Sequence, residues 1–273
     1  MRAPTPMTNQ AETFAERYST WETLHRLYGP GRSYPYAWRL PELARSQGQG
    51  VLARAQHALA LDLYTLGRFP ESQAVLEGIT TAAPGPLGHR LSLLLGRPVQ
   101  EEATTQEHLP GLEATYLAYL GDRPLDAFPS PAFDANEPDH AWATLLQCWH
   151  RARSGAATEL APSHGALSAL RALHPTLAAQ GEALLAETCY TLDPRWASVW
   201  LDHALDQVDL YSQHHLKARL MGLKARALEA GGELGEGARF RKQARALAER
   251  QGARLYLGLF IEEEAPVSPL DAG

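Results

Sequence analysis

Apolar residues in this chain recur at steps of three and four, and the pattern is clearest over Ala53–Pro84. Ala55, Leu59, Leu63 and Leu66 stack on one helical face. Leu66-Gly67-Arg68-Phe69-Pro70 then stops that helix and starts another. Gly67 suits the left-handed conformation of a helix C-terminus, and Pro70 suits the opening of the next helix. The second helix carries Phe69, Leu76 and Ile79 on its inner side and is expected to run to Pro84. One such hairpin cannot bury its apolar face alone, so the pattern predicts neighbours stacked against it.

The same periodicity and punctuation extend in both directions. Ala11 to Tyr28 reads as a helix with Phe14, Tyr18, Trp21 and Leu24/Leu27 on one face, ended by Gly29-Pro30-Gly31. Tyr34-Pro35-Tyr36-Ala37-Trp38 reads as an aromatic loop, packed at the end of an array, that leads to a short helix over Leu40–Ser46. Leu95-Gly96-Arg97-Pro98 and Leu120-Gly121-Asp122-Arg123-Pro124 echo the first turn at spacings of 29 and 25 residues. The repeats are therefore irregular, with Pro98 to Leu109 mostly loop. Ala127 to Asp139 is rich in Pro, Asp and Asn and marks a boundary. Beyond it, helices are predicted over Ala141–Arg153, Ala166–Leu173 and Thr176–Leu192. Asp193 is expected to cap a further helix with Pro194 as its first residue and Trp196/Ala197, Trp200/Leu201 and Ala204 turned inward. His215–Ala230 and Gly235–Gln251 form a last hairpin. Period-two alternation is absent, so the chain is expected to be all-α. The expected organisation is a flexible start (1–8), N-terminal helical repeats (9–128), a linker (129–139), C-terminal helical repeats (140–260) and an acidic flexible tail (261–273).

The Ala53–Pro84 hairpin resembles a tetratricopeptide repeat, a helix-turn-helix unit of about 34 residues. With Gly67 on the family's turn glycine, Leu59, Ala60, Leu63, Phe69, Leu76, Ile79 and Pro84 match. Gln56 stands where the family favours an aromatic and Ser72 where it favours alanine. The resemblance implies a right-handed array of antiparallel helical hairpins, an α-solenoid whose first helices line a concave face. It places Arg54, His57, Leu61 and Tyr64, and correspondingly Arg219, Gly222 and Arg226, toward that face. The stretch LKARALEAGGELGEGARFRKQARALAERQG is similar to helical regions that follow the ATPase or DNA-binding modules of large bacterial transcription regulators.

Composition sharpens this picture at a few points. At 273 residues and 45% hydrophobic, the chain is long enough for a large core. It has no apolar run long enough to span a bilayer. Its N-terminus lacks a signal-peptide core, and its two cysteines, Cys148 and Cys189, suit a reducing compartment, so a cytoplasmic protein is expected. The net charge is −6, yet residues 217–254 hold ten Lys/Arg against four Asp/Glu, including all three lysines of the chain. There, Arg219 and Arg226 share one helical face and Arg241 and Arg245 another, rows suited to carboxylates or phosphates.

Other candidate chemistry weighs less. Cys148 and His150 point roughly 200° apart on a helix, poor geometry for one metal ion. Asp202, Asp206 and Asp209 line one face and read as a solvated side. No phosphate loop or nucleophile elbow occurs. No enzyme, cofactor or metal signature stands out. The expectation is a non-enzymatic interaction scaffold that presents a helical groove to a protein or peptide. Its partner-binding residues would be Arg54, His57, Tyr64, Arg219, Arg226, Arg241 and Arg245. The alternative is a regulatory or sensor module linked to transcription that takes a small ligand or nucleic acid through 217–254. The acidic balance elsewhere and the lack of interleaved aromatics disfavour nucleic acid. Terminal hairpins with open apolar faces favour a homodimer.

Overall fold

The computed structural model describes residues 13–79, 85–97, 111–122, 138–156 and 158–261, and these are all-α, with no strand among them. The helices are α1 (Phe14–Tyr28), α2 (Pro30–Ala37), α3 (Leu40–Ala44), α4 (Gln49–Thr65), α5 (Phe69–Glu77) and α6 (Pro86–Leu94). They continue with α7 (Gly111–Leu120), α8 (Pro138–Arg153), α9 (Ala161–Leu173), α10 (Pro175–Leu192) and α11 (Ala197–Leu210). A 3-10 turn (His214–Leu216) leads into α12 (Lys217–Ala230) and α13 (Leu234–Gln251). A short helix (Arg254–Tyr256) and a π-turn (Leu257–Ile261) close the described chain.

Local chemistry explains several helix ends. Thr13 and Glu16 form a reciprocal capping box on α1, the Glu16 carboxylate accepting from the Thr13 amide at 2.9 Å. After α4, Gly67 adopts φ of +75° while Arg68 N donates to Leu63 O at 2.8 Å, the bond that closes a Schellman turn. The same bond recurs after α6 (Arg97 N to Ser92 O), α8 (Ala156 N to Arg151 O), α12 (Glu233 N to Leu228 O) and α13 (Ala253 N to Ala248 O). In the α4–α5 hairpin, Ser72 donates its hydroxyl to Ala60 O at 2.6 Å. The buried Ser72 hydroxyl is thus satisfied between the two helices.

Four expectations needed correction. The helix expected to run to Pro84 ends at Glu77, with Gly78 as its cap. Residues 34–37 belong to helix α2, because Pro30 starts a helix directly after Gly29. α9 begins five residues before the expected Ala166. Asp193 caps a turn rather than a helix: its Oδ1 accepts from Arg195 N at 3.0 Å, and α11 begins only at Ala197. Trp196 points outward, while Ala197, Leu201 and Ala204 are buried as expected. The second half of the Leu120 turn, most of the 127–139 boundary and the tail from 262 lie outside the described residues.

Two apolar clusters carry the packing. The smaller joins Phe14, Trp21, Ala37 and Leu40 to Ala55, Ala58, Leu59 and Leu63 of α4. At its inner end Asp62 is fully buried and accepts from Trp21 Nε1 (3.0 Å) and Ser33 Oγ (2.9 Å), with His25 Nδ1 at 2.6 Å. One carboxylate therefore ties α1, α2 and α4 together. The larger cluster runs from Ala60 on α4 to Tyr256, crossing the expected boundary.

Within that larger cluster Arg219 is 0% exposed. Its Nε and Nη2 donate to the two carboxylate oxygens of Glu187 at 2.8 and 2.7 Å. Its Nη1 donates to the Tyr119 and Leu120 carbonyls at the end of α7, at 2.9 and 3.0 Å. The guanidinium also lies 4.2 Å from the Tyr119 ring centre, whose hydroxyl donates to Glu187 at 2.7 Å. Burial opposes its charge, but Glu187 and Tyr119 outweigh burial and raise the Arg219 pKa.

Elements far apart in sequence also meet. Thr176 Oγ donates to Arg26 O at 2.9 Å, and a side chain at Gly29 would strike the Tyr211 carbonyl at 2.0 Å. Gln251 packs on Gly67, where an added Cβ would lie 2.2 Å from its Nε2. In an open solenoid each repeat touches only its neighbours; here the last hairpin also contacts the turn of the α4–α5 hairpin.

Removing one partner of a buried pair strands the other charge, a loss of about 3–5 kcal/mol, whereas replacing both with apolar groups is close to neutral. Arg219→Met is expected to lower unfolding free energy by that amount in urea titrations. The double variant Arg219→Met/Glu187→Leu is expected to recover most of the loss.

Candidate functional site

The seven residues expected to meet a partner fall into two groups. Arg54 and His57 lie on the outer face of α4 and are exposed. Arg54 stacks 4.0 Å from the Tyr18 ring centre. The His57 imidazole is held below its ordinary pKa by partial desolvation and by the nearby Arg90 charge. Arg245 is exposed on α13, Arg241 pairs with Glu229, and Arg226 lies half-buried beside Tyr190.

Tyr64 and Arg219 are enclosed, which corrects their placement on an open face. Tyr64 lies against His215, ring centres 4.8 Å apart, and against Phe69 at 5.8 Å. The chain's own 3-10 turn covers the place where a partner was expected. His215 is itself fully buried, with the Tyr116 hydroxyl 3.4 Å from its Nε2. Burial, aided by the Arg90 charge, pushes the His215 pKa down from 6.5 to about 3.

The basic segment is also less cationic than its sequence suggests. Lys217 pairs with Asp209, Arg219 with Glu187, Lys224 with Asp202, Arg239 with Glu236 and Arg241 with Glu229. Among the described residues, five of its ten cations thus face carboxylates of this chain. Two of those carboxylates, Asp202 and Asp209, belong to the α11 acidic row and are engaged with α12, while Asp206 between them stays exposed.

The same return of the last hairpin creates an open groove of about 1150 Å³ between the α4–α5 turn, the 3-10 turn and α13. Leu66, Met221, Ala246 and Leu247 supply its apolar surface. Arg68, Lys217, Glu249 and Arg250 supply charge around it, and His214 lines it as well. Arg68 is oriented by Glu71, its Nε donating at 2.7 Å, and by the Tyr34 hydroxyl at 2.9 Å. Gln251 Nε2 donates to His214 O at 2.8 Å and so fixes the inner end of the groove. Burial lowers the His214 pKa, so this ring is a neutral donor or acceptor near pH 7. Exposed ion pairs such as Arg68–Glu71 and Lys217–Asp209 are worth about 0–1 kcal/mol, so a ligand carboxylate can displace the resident one at little cost.

Sequence reasoning named the basic segment but missed this groove. Its walls come from residues about 150–180 positions apart, which no local pattern joins. Among the described residues, no group of three or more His, Cys, Asp or Glu side chains is arranged to hold a metal ion, and no helix is long and apolar enough to cross a membrane. No family model, curated protein or solved structure matches this chain.

The buried His215 has a consequence for acid stability. Its folded pKa lies below its unfolded one, so from about 6.5 down to about 3 the unfolded chain holds a proton that the folded chain does not. The stability contributed by neutral His215 is present above that window and lost as pH falls through it, by about 1.4 kcal/mol per pH unit. His174, lowered to about 4 chiefly by burial, acts in the same direction. Urea unfolding followed between about pH 7 and 5 is expected to show this decline, and His215→Phe is expected to make the slope shallower by about one proton.

Proposed function

We propose that this protein is a non-enzymatic recognition module, built from hairpins of tetratricopeptide-like ancestry, that binds a protein or peptide segment. The observation that supports this reading best is the groove between the α4–α5 hairpin and the last hairpin. It combines an apolar surface (Leu66, Met221, Leu247) with cations whose resident partners are exposed or, for Arg250, absent among the described residues. Its volume of about 1150 Å³ exceeds that of most small-molecule pockets, which run about 300–1,000 Å³, and suits several residues of a chain. The ligand chemistry that fits is an acidic segment with an aliphatic anchor. Its carboxylates would engage Arg250, Lys217 and Arg68, and its apolar side chain would cover Met221 and Leu247. The recurrence of one helix-ending turn after α4, α6, α8, α12 and α13 supports the repeat ancestry.

Fluorescence anisotropy with labelled amphipathic peptides, one set carrying Glu on the polar face and a matched set carrying Lys, tests this directly. Micromolar binding of the acidic set alone is expected, weakened at least about tenfold, or about 1.4 kcal/mol, by Lys217→Glu/Arg250→Glu. Ala246→Trp, which places an indole in the groove, is expected to block binding without changing helicity. Equal binding of both sets, or none, would overturn the proposal.

A further inference from the structure

A second surface lies away from the groove, on the outer face of α11. Trp196, just ahead of the helix, is 79% exposed, Val199 75% and Leu210 67%. With His203 and Asp206, both exposed, they form one row at helical spacing. A single exposed apolar residue needs no explanation, but three large ones sharing a helical face with Leu192 beside them do.

The two ends of this row differ in shape. Trp196 projects at one end. At the other, about 21 Å away at about 1.5 Å per residue, Leu210 borders a cavity. That cavity is about 680 Å³ and is lined chiefly by Leu27, Tyr28, Pro175, Leu210 and Tyr211. A projecting indole and an apolar hollow at opposite ends of one face are complementary to the same face turned by a two-fold axis. The midpoint of the row is His203, and antiparallel pairing about it sets residue 196 of one copy opposite residue 210 of the other. Charge follows the same symmetry. Asp193 and Arg195 flank the indole, while Arg32 lines the hollow and Asp206 lies one turn from it. None of these four is in an ion pair among the described residues. Antiparallel docking brings Arg195 toward Asp206 and Asp193 toward Arg32. Such a contact is isologous and closes at two copies.

We propose that this chain forms a two-fold homodimer through the outer face of α11, with Trp196 of each copy seated in the Tyr28–Leu210 hollow of the other. The proposal is independent of the peptide groove. Sedimentation velocity from about 1 to 100 µM is expected to show conversion to twice the 29.9 kDa chain mass. Trp196→Glu, an exposed change that leaves the fold intact by circular dichroism, is expected to weaken association at least tenfold. Arg195→Asp and Asp206→Arg are each expected to weaken it, and the two combined to restore it. His203→Cys, close to the axis, is expected to form an intermolecular disulfide on mild oxidation, since Cys148 and Cys189 are buried. A monomer throughout the range, or a dimer that ignores Trp196→Glu and leaves His203→Cys uncrosslinked, would overturn the proposal. So would Trp196-dependent growth beyond two copies, the sign of a head-to-tail contact.

Discussion

Every N–H of a guanidinium sealed from water must find an acceptor, and Arg219 meets this demand by drawing on neighbouring helices. Glu187 on α10 faces two of its nitrogens, and the carbonyls that end α7 take the third. The positions of α7, α10 and α12 are thereby fixed to within a hydrogen bond of one another. Tyr119 contributes both its ring and its hydroxyl to the same point. An apolar residue at 219 would hold these helices by contact alone, a less directional constraint. Packing density sets how close the helices come, while the fork of Arg219 sets their register.

Asp62 plays the corresponding part in the N-terminal cluster, as a carboxylate surrounded by donors from α1 and α2. Asp62 orients α4 against the helices before it, and Arg219 anchors α12 just beyond the 3-10 turn. With α4 and that turn held in place, Tyr64 meets His215 and Gly67 comes under Gln251. The groove is a by-product of this closure. Its shape depends on interactions that lie outside the groove itself.

The helices themselves were legible because their periodicity is local. Ala55, Leu59 and Leu63 lie inward as their spacing predicts, and Gly67 takes the left-handed conformation its place in the turn demands. What no local pattern conveys is which helices meet across long stretches of chain. Arg219 has the spacing of an exposed row and is enclosed; Trp196 was expected to turn inward and is exposed, because it falls on the outer row with Val199 and Leu210. The basic segment was visible as a run of charge. The carboxylates that neutralise half of it lie mostly on α10 and α11, so their effect could be seen only in three dimensions.

The return of the last hairpin also bears on how the chain is made. Tyr64, Tyr116 and Tyr119 belong to the large cluster, yet His215, Arg219 and Tyr256, which cover them, are translated about 100–190 residues later. Until then the nascent polypeptide must display an aromatic surface that has no lasting cover. A ribosome that stalls shortly before codon 215 would leave such a surface permanently open to chaperones or to other unfinished chains.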